Sequence, residues 1–174
     1  MNILIIGFLG SGKSSIGKRL ARNLDYKFVE LDDVVLDYTG YTNIQDVEKK
    51  RKTLWKECEL QVSKDLSLDD NMVIACGGGF INNELNMDYF KDHNPKVAVI
   101  YLSAKIETLA RRSLEKAKLK GKNITAETIQ AAIAKIFSLR DTLYRNSADI
   151  VIQTDNTETD AITIALIEQI KKLG

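Results

Sequence analysis

Eight consecutive residues carry the first recognisable chemistry in this chain: Gly7-Phe8-Leu9-Gly10-Ser11-Gly12-Lys13-Ser14. Their spacing is G-x-x-x-x-G-K-[ST], the phosphate-loop pattern. Glycines let the backbone curl until successive N–H groups converge on phosphate oxygens, and the helix that follows adds its positive N-terminal end. Gly10, Ser11, Gly12, Lys13, Ser14 and Ser15 are therefore candidate nucleotide contacts. Lys13 would neutralise the β- and γ-phosphates, and the Ser14 hydroxyl would ligate Mg²⁺. The pattern follows a short apolar run and precedes a helical one, as this mechanism requires. No N-K-x-D-type guanine reader is present. ATP or GTP with Mg²⁺ is the first inference.

A nucleotide site does not fix the reaction. A chain of 174 residues has the size of a small-molecule or nucleoside monophosphate kinase. Such an enzyme needs an acceptor pocket, a group that orients or deprotonates the acceptor hydroxyl, and cations around the transferring phosphoryl. Glu30-Leu31-Asp32-Asp33 closes the second apolar run, where ligands bind in open α/β sheets. A two-residue period puts Glu30 and Asp32 on one strand face. One could hold Mg²⁺ through water while the other serves the acceptor hydroxyl; helix capping by Asp32 or Asp33 is the plainer alternative. Gly77-Gly78-Gly79 ends the third run and lets backbone amides approach a ligand, or simply turns the chain. Arg140 continues Ile133, Ile136 and Phe137 at helical spacing. A core-facing arginine needs an anion, either a ligand or a structural carboxylate. Lys56, beside Trp55, is a second candidate cation or a solvated lysine. Between Ser103 and Asn123, seven cationic residues stand against two acidic ones, either a solvated helix face or a lid over phosphates.

The elements that must position these groups alternate. Short strands are expected at Asn2–Ile6, Lys27–Leu31, Met72–Ala75, Val97–Leu102 and Asp149–Gln153, and their near-continuous apolar character fits a parallel sheet buried on both faces. Helices are expected at Lys13–Leu24, Thr42–Leu66, Lys105–Lys118, Thr125–Tyr144 and Thr157–Leu173, the second opened by a capping-box spacing at Thr42 and Gln45. The fold class is α/β, with helices packed around a parallel sheet.

Composition narrows the rest. The chain is 44% apolar and 28% charged, with net charge +1, so no global field draws it to nucleic acid or an anionic membrane. One histidine, His93, and two cysteines, Cys58 and Cys76, exclude the common zinc sites and a disulfide framework. The N-terminus lacks a basic leader, and no apolar run reaches membrane-spanning length. The expectation is one cytoplasmic domain over residues 1–174, monomeric, with neither nucleic-acid nor membrane partners. His93, beside Asn94 and Pro95, is read as a surface residue in a polar turn.

Taken together these pieces resemble the shikimate kinases. The likeness spans nearly the whole chain: GFLGSGKSS at Gly7–Ser15, FVELD at Phe28–Asp32, WKECE at Trp55–Glu59, the three glycines, and RDTLY followed by ADIVIQTD at Arg140–Asp155. The resemblance implies a three-layer αβα P-loop fold of the nucleoside monophosphate kinase type, with a five-stranded parallel sheet ordered 2-3-1-4-5. It also implies ATP-dependent phosphorylation of the 3-hydroxyl of shikimate. Asp32 would contact the substrate hydroxyls and act as base, Gly78 and Gly79 would line the acceptor pocket, Arg140 would grip the substrate carboxylate, and Arg112 would pack on adenine. A substrate-binding helical segment would fall at about 33–62 and a lid at about 111–124. The chain departs from the family at four places. Glu30 stands for the first aspartate of D-x-D, and Lys56 for a substrate arginine. Cys76 stands for a threonine, and the lid lacks R-P-L, leaving Lys120 or Lys122 as its candidate cation. A kinase for another small hydroxyl acceptor, such as gluconate or a nucleoside monophosphate, and a nucleotide-binding module without catalysis are the alternatives.

Overall fold

The structure, a computed structural model, describes residues 1–51, 53–93 and 96–173, with only the backbone of Glu48. Five strands are present: β1 (Asn2–Ile6), β2 (Lys27–Glu30), β3 (Met72–Ala75), β4 (Val97–Ser103) and β5 (Ile150–Gln153). They form one parallel sheet in the order β2-β3-β1-β4-β5, the order the family resemblance implies. β1 lies at its centre, and every one of its residues is buried. Its side chains alternate between two cores, Ile3 and Ile5 on one face, Leu4 and Ile6 on the other. Burial on both faces explains the continuous apolar run: neither side of this strand sees water.

Against the Ile3/Ile5 face pack α1 (Lys13–Leu24), through Ile16 and Leu20, and α8 (Thr159–Ile170), through Ile162 and Leu166. The opposite face is covered by α2 (Leu31–Thr39), α4 (Leu54–Ser67), α5 (Glu84–His93), α6 (Ile106–Leu119) and α7 (Ala126–Ser147). A short α3 (Ile44–Lys50) and a 3-10 turn at Phe80–Asn82 complete the described elements.

Several expectations are corrected. The long helix at Thr42–Leu66 is two helices, α3 and α4, interrupted at Arg51, whose backbone leaves the helical region (φ −148°, ψ 80°). Asn43, not Thr42, caps α3: its side-chain oxygen accepts from the Asp46 amide at 2.9 Å. β2 ends at Glu30, because Leu31 already opens α2, a helix not foreseen; Gly40 closes it in the left-handed conformation (φ 71°). α5 was also not foreseen, and His93 is its exposed last residue rather than part of a turn. Asn94 and Pro95 lie outside the described residues. α8 is shorter than expected at both ends.

Candidate active site

The phosphate loop leaves β1 at Gly7 and enters α1 at Lys13. Gly10 (φ 82°) and Gly12 (φ 99°) hold left-handed conformations that a side chain disfavours. The first turn of α1 leaves the amides of Lys13, Ser14 and Ser15 without intrahelical partners. All three residues line a cavity of about 450 Å³, with Leu9, Gly10, Ser11 and Gly12. The buried Ser11 hydroxyl has no hydrogen-bond partner. The Lys13 ammonium donates to the carbonyls of Gly7 (2.8 Å) and Phe8 (3.0 Å). Burial lowers its pKa to about 8, against the opposing influence of Asp32, Cys76 and Glu30.

Glu30 and Asp32 line the same cavity from the end of β2. Their common direction does not come from strand alternation, since Asp32 sits in the first turn of α2. Neither it nor Asp33 is the cap; Glu30 occupies that position without a side-chain cap bond. Burial raises the Asp32 pKa, and Lys13 is the chief influence opposing it. Gly77 explains the close fit. A Cβ there would lie 3.0 Å from Asp32 Cγ and 3.2 Å from Oδ2, and nearer still to Oδ1. Only the absence of a side chain lets the carboxylate rest against β3's end. The neighbouring Cys76 is fully buried, and burial pushes its thiol pKa well up, leaving an inert apolar wall. Cys58 is half-buried on α4.

The far wall is cationic. Arg112 on α6 donates to the Thr154 carbonyl (2.7 Å) and hydroxyl (3.1 Å) and to the Gly10 carbonyl (3.4 Å). Thr154 itself donates to Ser103 at 3.2 Å, so Arg112 ties the ends of β4 and β5 to the phosphate loop. One helical turn on, Lys116 lines the cavity too. A second cavity of about 350 Å³ adjoins it, sharing Leu9 and Gly78. Arg140 and Tyr144 line this one, and both donate to the Gly78 carbonyl at 2.7 Å. The remaining wall is largely apolar, from Phe8, Ala117, Ile129 and Ile133.

Of the residues singled out in the sequence, Gly10, Ser11, Gly12, Lys13, Ser14, Ser15, Glu30, Asp32, Gly78 and Arg112 meet around the first cavity. Arg140 meets it across Gly78. Gly79 is exposed and lines neither space. Lys56 is exposed on α4, one turn before the buried Glu59, and lines neither. Lys122 lines the second cavity, while Lys120, at the end of α6, lines neither. Residues 111–119 belong to the regular helix α6, so only 120–125 form an irregular connection to α7. Sequence reasoning did not single out Lys116 or Tyr144, and it read Gly77 only as part of a ligand-approaching glycine run, not as the seat of Asp32. The four-residue spacing of Lys116 from Arg112 was the available signal for one of them.

Comparison with known proteins gives one consistent picture. Residues 9–171 match the family model described as shikimate kinase. A shikimate kinase of Psychrobacter sp. strain PRwf-1 is 30% identical over 172 residues, spanning 98% of this chain and 92% of that one. One from Nitrosomonas europaea is 30% identical over 172 residues, spanning 98% and 79%. Among solved structures, shikimate kinase from Acinetobacter baumannii in complex with shikimate aligns with a TM-score of 0.84 and 25% identity, over 98% of this chain and 93% of that one.

Proposed function

The chain belongs to the shikimate kinase family of ATP-using phosphotransferases, and from that premise we propose that it transfers the γ-phosphoryl group of ATP to the 3-hydroxyl of shikimate through Lys13 and Asp32. The observation that carries the residue assignment is the shared cavity: the half-buried Lys13 ammonium and Asp32 carboxylate face one space beneath the phosphate loop.

Each group has a physical task. Triphosphate oxygens would take the first-turn amides of α1 and draw the Lys13 ammonium from the Gly7 and Phe8 carbonyls. Arg112, held by Thr154 beside Thr157 and Ile162, offers its planar face to adenine. Asp32, raised by burial toward working pH, is suited to accept a proton. Its carboxylate takes the hydroxyl proton as the oxygen bonds to the γ-phosphorus. The bond from that phosphorus to the bridging oxygen breaks, and ADP leaves. Arg140 would pair with the acceptor carboxylate, its guanidinium fixed by the Gly78 carbonyl. Lys56, exposed on α4 outside both cavities, would add at most a point charge rather than a fork to that grip. The segment 33–62, comprising most of α2 with α3 and much of α4, would close on the acceptor; of the expected lid at 111–124, the irregular stretch after α6 would close over the phosphates while 111–119 stay in the helix.

The donor set suits Mg²⁺. Among the described residues no three His, Cys, Asp or Glu side chains converge to hold a metal by themselves. The Ser14 hydroxyl, with Glu30 or Asp32 through water, supplies the few oxygens that Mg²⁺ takes alongside substrate phosphates. When bound, the ion neutralises charge on the β- and γ-phosphate oxygens. We read the protein as a cytoplasmic monomer acting on diffusible substrates; among the described residues no helix is long and apolar enough to cross a membrane.

The test is ADP release with Mg-ATP and a panel of shikimate, quinate, gluconate and nucleoside monophosphates. Turnover with shikimate alone supports the proposal. Turnover confined to another acceptor, or ATP binding without any turnover, refutes it.

A further inference from the structure

Three cations line the nucleotide cavity, and two of them are already engaged. Lys13 holds the Gly7 and Phe8 carbonyls, and Arg112 holds Thr154 and Gly10. The third, Lys116, is exposed, and among the described residues its ammonium has no hydrogen-bond or ion-pair partner. It follows Arg112 by one helical turn, so both side chains leave α6 on the same face.

That face has little freedom to withdraw from the phosphate loop. A Cβ on Gly10 would lie 2.8 Å from the Leu109 carbonyl and 2.9 Å from Ser113 Oγ. Helix and loop therefore touch backbone to backbone, and the base of Lys116 stands at a fixed height over the loop. Its charge is close enough to act on both Lys13 and Asp32, although burial is the larger influence on each. The following cations are turned elsewhere. α6 ends at Leu119, the Lys122 amide donates back to the Ala117 carbonyl at 3.0 Å, and Gly121 adopts φ 68°. This reversal sends Lys122 to the second cavity and leaves Lys120 outside both.

We propose that Lys116, carried on the rigid helix α6 rather than on a mobile connection, is a catalytic residue that grips the transferring phosphoryl group between Lys13 and Asp32. The inference rests on phosphoryl transfer from ATP being the reaction, but not on which acceptor is used. A cation placed there meets the γ-phosphate of ATP and the charge that builds on it during transfer, and has nothing to meet in ADP.

The experiment compares Lys116→Met, Lys116→Arg and the matched control Lys118→Met, which lies two residues further along α6. Calorimetric binding of ATP and of ADP is measured without acceptor, and kcat with whichever acceptor the panel identifies. Lys116→Met should lose roughly tenfold or more in kcat and most of the preference for ATP over ADP, with ADP affinity and melting temperature near the parent's. Lys116→Arg should recover much of the loss, and Lys118→Met should match the parent. The proposal is overturned if Lys116→Met keeps kcat within twofold. It is equally overturned if ATP and ADP weaken alike, or if Lys120→Met or Lys122→Met carries the loss instead. The binding arm needs no acceptor, so its failure is separable from an error in the acceptor's identity.

Discussion

Replacing Gly77 by alanine moves the carboxylate proposed as the base and little else. The new Cβ would sit 3.0 Å from Asp32 Cγ, whereas carbon atoms in comfortable contact are about 3.5–4.0 Å apart. The carboxylate must therefore retreat by about 1 Å or more, because Oδ1 lies nearer still. The backbone at position 77 is not in the left-handed region, so alanine is not strained there, and the atoms that yield are the end of a side chain. A reacting group misplaced by about 1 Å costs on the order of 10²-fold in rate. We expect kcat to fall roughly 10- to 100-fold, equivalent to about 1.4–2.7 kcal/mol of barrier. The affinity for ATP should stay near the parent's, because the phosphate loop is not displaced. The melting temperature should shift by no more than about 4 °C, the effect of about 1 kcal/mol in a protein of this size. Steady-state kinetics, ATP calorimetry and a thermal melt on the same preparation decide it. A Gly77→Ala enzyme with the parent's kcat would refute the argument that Asp32 works from the position observed. A collapse of ATP binding would show that this glycine serves the nucleotide instead.

Asp32→Asn should lower kcat by 10²-fold or more, in the range of lost general-base catalysis, while leaving the ATP dissociation constant within a few-fold; a loss confined to ATP binding contradicts its role toward the acceptor. The pH profile of kcat/KM for ATP should be bell-shaped. Asp32 must be ionised, so activity rises as pH climbs through its elevated pKa; Lys13 must be protonated, so activity falls as pH passes about 8. An alkaline limb that stays flat to pH 10 would exclude the free Lys13 ammonium as its source. Arg140→Ala should raise KM for shikimate tenfold or more and by more than Lys56→Ala does, since Arg140 is fixed to Gly78 whereas Lys56 is exposed; the reverse ranking in initial-rate measurements would move the carboxylate to α4.

The sheet was legible because its strands are buried on both faces: VAVIYL and NILII contain almost nothing that could face water. The phosphate loop was legible because its function constrains consecutive residues. Residues 31–67 were not. Leu31 prolongs an apolar run as a strand residue would, yet it is the first residue of α2, and the left-handed Gly40 that ends this helix was the overlooked punctuation. α5 was hidden by its polar content. One of its buried residues is Asn86, whose amide donates to the buried Glu59 carboxylate at 2.9 Å and to the Phe80 carbonyl at 3.2 Å. A polar side chain satisfied in this way leaves no apolar periodicity to read. Lys116 was one of seven cations in a single stretch; its four-residue spacing from Arg112 puts the two on one helix face, but not that face over the nucleotide cavity. That placement depends on how α6 lies across Gly10, a contact between residues about a hundred positions apart.

The aromatic packing beneath the phosphate loop bears on how two substrates are brought together. Phe8, inside the loop, stacks on Phe137 with ring centres 4.9 Å apart and meets Tyr144 edge-on at 4.9 Å; Tyr144 stacks in turn on Tyr101 at 5.0 Å. Phe137 and Tyr144 flank Arg140 on α7. The phosphate loop and the helix that carries Arg140, the proposed acceptor cation, thus share one set of interlocked rings. If these are the donor and acceptor anchors as proposed, they form a single block whose spacing is set when the chain folds. Binding either substrate need not rebuild that spacing, and synergy between them must arise from parts outside the block.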